Sequence, residues 1–206
     1  MTDRREPPAP FDAADALDRQ RLRAAAAGDR TAFDALYRDH HRRLCRFLHR
    51  QTHRRDLVDD VYNDAMWVVW RKAGEFRGES RVSTWITGIA YRCMLAALRG
   101  ANRGPELDET ALDGVEREAV VEEDDIEGRR ELRDWLSRGM RTLPPDQRVT
   151  LEMAYFLGHT CEEIAVVMNC AVGTVKARMF HARVRLRNVM PALGGAVPPG
   201  RDAALG

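Results

Sequence analysis

Residues 172–187, "VGTVKARMFHARVRLR", carry Lys176, Arg178, Arg183, Arg185 and Arg187 with no acid among them. Cationic groups this dense suit the neutralisation of phosphate oxygens, with base edges within reach of the same side chains. Thr174 can reach a phosphate, and Lys176 and Arg178 can meet phosphates or base edges. A second set, His41, Cys45, His49 and His53, stands at steps of four. Imidazole and thiolate at i,i+4 can share a zinc or similar ion. A straight helix rarely closes four ligands on one ion, however. The row therefore reads as edge packing and solvated histidines, and no metal or other cofactor is expected. Glu162 and Glu163 are adjacent carboxylates, but neighbouring helix positions diverge and do not flank one substrate. Without a Ser/His/Asp order or a phosphate-cradling glycine loop, the chain is not expected to be an enzyme.

These residues need elements to hold them, and the pattern is helical from Leu17 onward. In the basic stretch Val175, Met179, Ala182, Leu186 and Val189 form an apolar stripe, leaving the cations on the other sides. The preceding "TCEEIAVVMN" opens with a Thr160-x-x-Glu163 capping box, so the two read as helix, short turn, helix. Further upstream, Gly28 suits a left-handed helix stop and Asp29 a cap for the next helix. That next helix keeps Phe33, Leu36, Tyr37, Leu44 and Leu48 to one side. A third, from Asp56, turns Leu57, Val61, Ala65 and Val68 inward. After the glycine-broken "GEFRGES", Thr84 opens a fourth with Trp85, Ile86, Ile89, Ala90, Cys93 and Ala97 toward the core.

The net charge of +1 hides segregation, since residues 105–127 hold eleven acids and only Arg117 as a base. That acidic stretch lacks aromatics and periodicity and reads as a flexible linker. The expected architecture is all-α, with two helical domains. A disordered tail covers 1–16, the first domain 17–101, the acidic linker 102–129, the helix-turn-helix domain 130–190 and a second disordered tail 191–206. The four cysteines form no C-x-x-C, no apolar run reaches the length of a membrane span, and the start holds no signal peptide. A cytoplasmic location without membrane insertion is the expectation.

Together these segments resemble the extracytoplasmic-function (ECF) group of bacterial RNA polymerase sigma factors. The likeness rests on "GDRTAFDALYRDHHRRLCRFL" and "DLVDDVYNDAMWVVWRKAGEFRGESRVSTWITGIA" in the first half. In the second half it rests on "LPPDQRVTLEMAYFLGHTCEEIAVVMNCAVGTVKARMFHARVRLR". It covers most of residues 20–190, in the family's order. The resemblance implies a protein that binds core RNA polymerase at its clamp and flap and directs promoter recognition, melting and initiation. The polymerase-binding helix would present Asp56, Asp60 and Asp64 on one row and Asp59, Asn63 and Trp67 on the next.

Reading and melting of the minus-ten element would fall to Arg77, Ser80, Arg81, Thr87, Tyr91, Arg92 and Arg99. The minus-thirty-five element would fall to Arg148, Thr160, Thr174, Lys176, Ala177, Arg178, Phe180, His181 and Arg183. The family commonly adds an anti-sigma protein that covers these faces. This chain departs from it at Asp59 (usually Gln), Tyr91-Arg92 (commonly Arg-Asn), Ala96 (commonly Asp), Ala177 (often Ser) and His181 (often Arg). The helix-turn-helix alone also fits a stand-alone transcriptional regulator, which would bind duplex operator without polymerase.

Overall fold

A computed structural model describes residues 12–52, 54, 56–101 and 127–193. Of the regions anticipated above, residues 1–11, most of the acidic linker, the end of the C-terminal tail and His53 lie outside the described residues. Among the described residues every regular element is a helix. They run α1 (Asp12–Ala26), α2 (Arg30–Gln51), α3 (Asp56–Lys72), a 3-10 turn (Ala73–Glu75), α4 (Val82–Ala101), α5 (Glu127–Arg141), α6 (Pro145–Tyr155), α7 (Cys161–Met168) and α8 (Val172–Leu193). None of them is long and apolar enough to cross a membrane. The helices fall into two compact units: α1 to α4 together with α7, and α5, α6 and α8. Helix α7, which the sequence assigns to the second domain, thus groups with the first unit.

In the first unit the turn after α1 follows from two residues. Gly28 adopts φ 95°, which carries no side-chain penalty in glycine. The Asp29 carboxylate then accepts from the backbone N–H groups of Thr31 (2.9 Å) and Ala32 (3.1 Å), capping α2. The core is built on Leu22, Leu36, Phe47, Leu48, Tyr62, Met66, Val69 and Ile86, all essentially sealed from solvent. Tyr62 is buried with its hydroxyl donating to the Tyr37 carbonyl, which meets the need of a buried polar group. Phe33 packs edge-on against Trp70 at 5.0 Å.

Three expectations shift. Helix α1 starts at Asp12 rather than Leu17, because "DAADAL" is Ala-rich and Asp15 is fixed by tertiary partners described below. Helix α3 buries Val58, Val61, Tyr62, Ala65, Met66 and Val69, leaving Leu57 and Val68 half-buried. Its inner face is wider than the expected single row, because α2 and α4 both pack on it. On α4, Trp85, Cys93 and Ala97 stay half-buried, while Tyr91 and Met94 go inside.

In the second unit Pro145 occupies the first turn of α6, where its missing N–H costs nothing. Val149, Leu151, Met153, Val175, Met179 and Ala182 are buried. The Trp135 indole N–H donates to the Met190 carbonyl at 2.9 Å, tying α5 to the end of α8. Gly139 lets the two helices approach closely, since a Cβ there would fall 2.2 Å from Met190 Sδ. Helix α8 continues through Pro191 to Leu193, past the end expected for the domain at 190.

The sealed position of Leu36 makes a stability prediction. Leu36→Ala leaves a cavity and should cost about 2–5 kcal/mol of unfolding free energy. Asp29→Ala, which removes only the cap, should cost about 1 kcal/mol. Denaturant unfolding read by tryptophan fluorescence checks both, since Trp67, Trp70 and Trp85 report the first unit. Equal costs for the two variants would contradict the assigned core.

Candidate nucleic-acid and partner interfaces

Because α3 buries Val58, Val61, Tyr62, Ala65, Met66 and Val69, the positions on its opposite side face outward. All six residues singled out there, Asp56, Asp59, Asp60, Asn63, Asp64 and Trp67, are exposed. Trp67 is 60% exposed, a large apolar ring beside a run of carboxylates. Among the described residues, Asp56 and Asn63 already have partners on their own chain. Arg54 pairs with Asp56 at 2.5 Å, and its hydrogen bonds hold the Asp56 carboxyl below the usual range. The Tyr37 hydroxyl donates to Asn63 Oδ1 at 2.8 Å. The surface can offer negative charge and one aromatic anchor to a basic partner.

Residues 76–81 lead from the 3-10 turn into α4, and their shape is imposed from α1. Asp15 Oδ1 accepts from the Val82 N–H at 2.7 Å, capping α4 from a distant part of the chain. Asp15 also pairs with Arg19 at 2.5 Å. Arg19 donates to the carbonyls of Ser80 (2.7 Å) and Gly78 (3.4 Å) and lies 5.4 Å over the Phe76 ring. Gly78 adopts φ 76°, and a Cβ there would meet the Arg19 guanidinium at 2.9 Å. The space this glycine leaves open is taken by the chain's own arginine. Sequence reasoning missed Asp15 and Arg19. Their i,i+4 spacing was visible, but the loop they hold lies some sixty residues away.

Of the residues expected at this loop and on α4, Arg77, Arg92 and Arg99 are exposed. Arg99 donates to the Leu95 carbonyl at 3.1 Å. Ser80 is half-buried and donates to the Arg81 carbonyl at 3.2 Å. Arg81 is different, because it forms a two-point ion pair with Glu163 of α7, through Nε at 2.6 Å and through Nη2. Those hydrogen bonds raise the Arg81 pKa further. Thr84 donates to the same carboxylate at 2.8 Å. Thr87 and Tyr91, expected on the outer face, are 4% and 8% exposed. Helix α7 covers part of this face of α4, for a Cβ on Gly88 would lie 3.7 Å from Val167. A carboxylate from some eighty residues downstream therefore takes Arg81 and Thr84, while Thr87 turns its hydroxyl back to the Ser83 carbonyl at 2.8 Å.

Asn169, at φ 49°, turns the chain between α7 and α8, a conformation that asparagine tolerates. On α8, Thr174, Lys176, Ala177, Phe180, His181 and Arg183 are exposed, as is Thr160 just before α7. Phe180 is 62% exposed and meets the His181 ring edge-on at 5.5 Å. Arg178 departs from expectation: it is half-buried and paired with Asp146 of α6 at 2.5 Å. Arg148 is also half-buried, with a buried Nε that has no partner. The exposed stretch can bind phosphate along one side and stack or touch base edges through Phe180 and His181.

The described part of the histidine row does not gather as a row. His49 is exposed one turn beyond Cys45, while His41 and Cys45 meet a residue of another helix, Asp59. The ligating atoms of His41, Cys45 and Asp59 all lie within 4.8 Å of one another. Burial, then the Asp59 charge, pushes the Cys45 thiol up to about 11.

Comparisons with known proteins agree on one family. Residues 36–104 match the family described as Sigma-70 region 2, and residues 133–186 the family described as Sigma-70, region 4. The ECF RNA polymerase sigma factor SigM of Mycobacterium tuberculosis is 33% identical over 181 residues, covering 87% of this chain and 88% of that protein. Among solved structures, CnrH in complex with the cytosolic domain of CnrY has a TM-score of 0.63 at 22% identity. The match covers 85% of this chain and 98% of CnrH. The sigma factor RpoE of Bartonella quintana, solved with the anti-sigma factor NepR, has a TM-score of 0.56 at 22% identity, covering 72% and 89%. These two solved structures share the all-helical fold.

The link from α1 to the loop is open to test. Asp15→Asn removes the charged acceptor at the Val82 N–H and the partner of Arg19, and should cost about 1 kcal/mol. Hydrogen–deuterium exchange should speed up at the amides of residues 78–84 and stay unchanged in the middle of α2. Uniform exchange in the variant and the parent would show that Asp15 does not hold the loop.

Proposed function

The chain belongs to the ECF sigma factors of bacterial RNA polymerase, and from that membership we propose how its own residues divide the work. As an alternative sigma factor it binds the core enzyme and directs promoter recognition, melting and initiation. Its working parts in this proposal are residues 17–101 and 130–190, with the acidic stretch 102–129 passing toward the active and RNA-exit channels. The reading is carried by one observation above all, the six outward-facing residues of α3 with Trp67 60% exposed.

In this reading Asp60 and Asp64 supply charge to a basic partner surface on the polymerase clamp. Trp67 supplies the anchor, and Asp56, Asp59 and Asn63 complete the face. The second part of the chain meets the flap and the minus-thirty-five element. There Thr174, Lys176 and Arg183 hold the backbone, and Ala177, Phe180 and His181 face the groove, with Thr160 and Arg148 beside it. At the minus-ten element Arg77, Ser80, Arg92 and Arg99 meet the strand. Arg81, Thr87 and Tyr91 join them once Glu163 has released Arg81 and α7 has left α4.

Opening duplex without ATP requires trapping an unstacked base, at a cost of a few kcal/mol that contacts of this kind return. No chemistry by the chain itself is needed, and its place of action is the cytoplasm, with the polymerase. RpoE of Bartonella quintana was solved with an anti-sigma factor, and the exposed faces of α3 and α8 here suit cover by such a protein.

Reconstitution with core polymerase on genomic DNA, with mapping of start sites, tests the reading. The parent chain should direct initiation at a limited set of sites. Trp67→Ala should weaken core binding at least about tenfold, or about 1.4 kcal/mol, with the fold intact by circular dichroism. Lys176→Ala and Arg183→Ala should leave core binding unchanged, weaken promoter binding, and each lower the salt slope by about one. A chain that joins the core enzyme and directs no specific start would overturn the proposal.

A further inference from the structure

We propose that His41, Cys45 and Asp59 form a binding site for a zinc-class divalent cation that clips α2 to the exposed face of α3. His41 and Cys45 stand one turn apart on α2, so their side chains share a face. Asp59 comes from the first turn of α3. Their ligating atoms lie within 4.8 Å of one another. Ligands of a tetrahedral zinc, at about 2.0–2.3 Å from the metal, stand about 3.5 Å apart.

The donor set selects the class of ion. A thiolate, an imidazole and a carboxylate suit zinc, cobalt or a similar borderline metal, whereas magnesium and calcium prefer all-oxygen sites. Cys45 forms the floor at 7% exposure, with His41 and Asp59 at the mouth. Three protein ligands and an open mouth leave a fourth position for solvent. The surroundings restrain the imidazole: His41 meets the Tyr62 ring edge-on at 4.8 Å and lies 6.0 Å from the Tyr37 ring. Tyr62 is fixed by its bond to the Tyr37 carbonyl, and Tyr37 by its bond to Asn63. His49, though part of the sequence row, is not in this set.

Binding converts the Cys45 thiol to a thiolate and sends its proton to solvent. The ion brings two positive charges, and the released proton takes one away. Afterwards the ion's two positive charges balance thiolate and carboxylate, and the site is neutral. The α3 face loses one negative charge where the proposed function puts a basic polymerase surface. Resting on that reading, metal occupancy weakens docking to the core enzyme.

Cobalt(II) titration of chelator-treated full-length protein reads the site directly. One equivalent should give a thiolate-to-cobalt charge-transfer band and tetrahedral ligand-field bands, and zinc(II) should displace them. Cys45→Ser should abolish the charge-transfer band, while joint replacement of Cys93, Cys161 and Cys170 by serine should retain it. His41→Ala and Asp59→Asn, both at exposed positions, should each weaken cobalt binding at least tenfold without changing the circular dichroism. A band that survives Cys45→Ser, or no band in the parent protein, overturns the site. For the consequence, zinc(II) should reduce core-polymerase binding by the parent and not by His41→Ala, which removes a ligand outside the polymerase-binding face. Zinc-insensitive binding by a metal-loaded parent removes the regulatory consequence alone. Failure of the metal-free chain to bind core enzyme counts against the proposed function and leaves the cobalt result standing.

Discussion

Helix α3 has to satisfy two surroundings at once, and the first unit depends on how it does so. Val58, Val61, Tyr62, Ala65, Met66 and Val69 are committed to the core, between α2 and α4. With that side fixed, the helix has no rotational freedom left. Asp56, Asp59, Asp60, Asn63, Asp64 and Trp67 must face solvent. An exposed tryptophan among carboxylates gains nothing for the folded chain by itself. Its position follows from the packing of the opposite side, and its energy is available to whatever covers it. The same packing brings Asp59 to His41 and Cys45, so the core of the unit also sets the geometry of the candidate metal site.

Much of this was readable from the sequence, for a physical reason. Helical periodicity is a local property, and so are caps. Gly28 and Asp29 act as their types predict, and the exposed sides of α3 and α8 follow from the apolar stripes opposite them. What escaped reading was set by residues far apart in the chain. Asp15 caps α4 across 67 residues, and Arg19 holds Ser80 across 61. Glu163 takes Arg81 across 82 residues, and Asp146 takes Arg178 across 32. Thr87 and Tyr91 are buried where the helical pattern of α4 put them outside. Two of the three candidate metal ligands, His41 and Cys45, were legible as an i,i+4 pair on α2. The third, Asp59, came from α3, which no spacing rule within α2 could supply.

The arginines that departed from expectation have something in common. Arg81 and Arg178 each hold a carboxylate, Glu163 and Asp146 respectively. A carboxylate presents two oxygens to a guanidinium much as a phosphate does, so one can replace the other with little change in side-chain geometry. Under the proposed function, DNA reaching these arginines would exchange one ion pair for another rather than create a new one. The side chains would be pre-ordered, while the net gain in binding free energy would be small. A near-neutral chain with eleven of its 32 acids in one segment extends the same logic, since there is little long-range attraction toward DNA. Selectivity is then better served by contacts that form only on the polymerase, where both helical parts are held over the promoter together and the effective concentration of each is raised by the other.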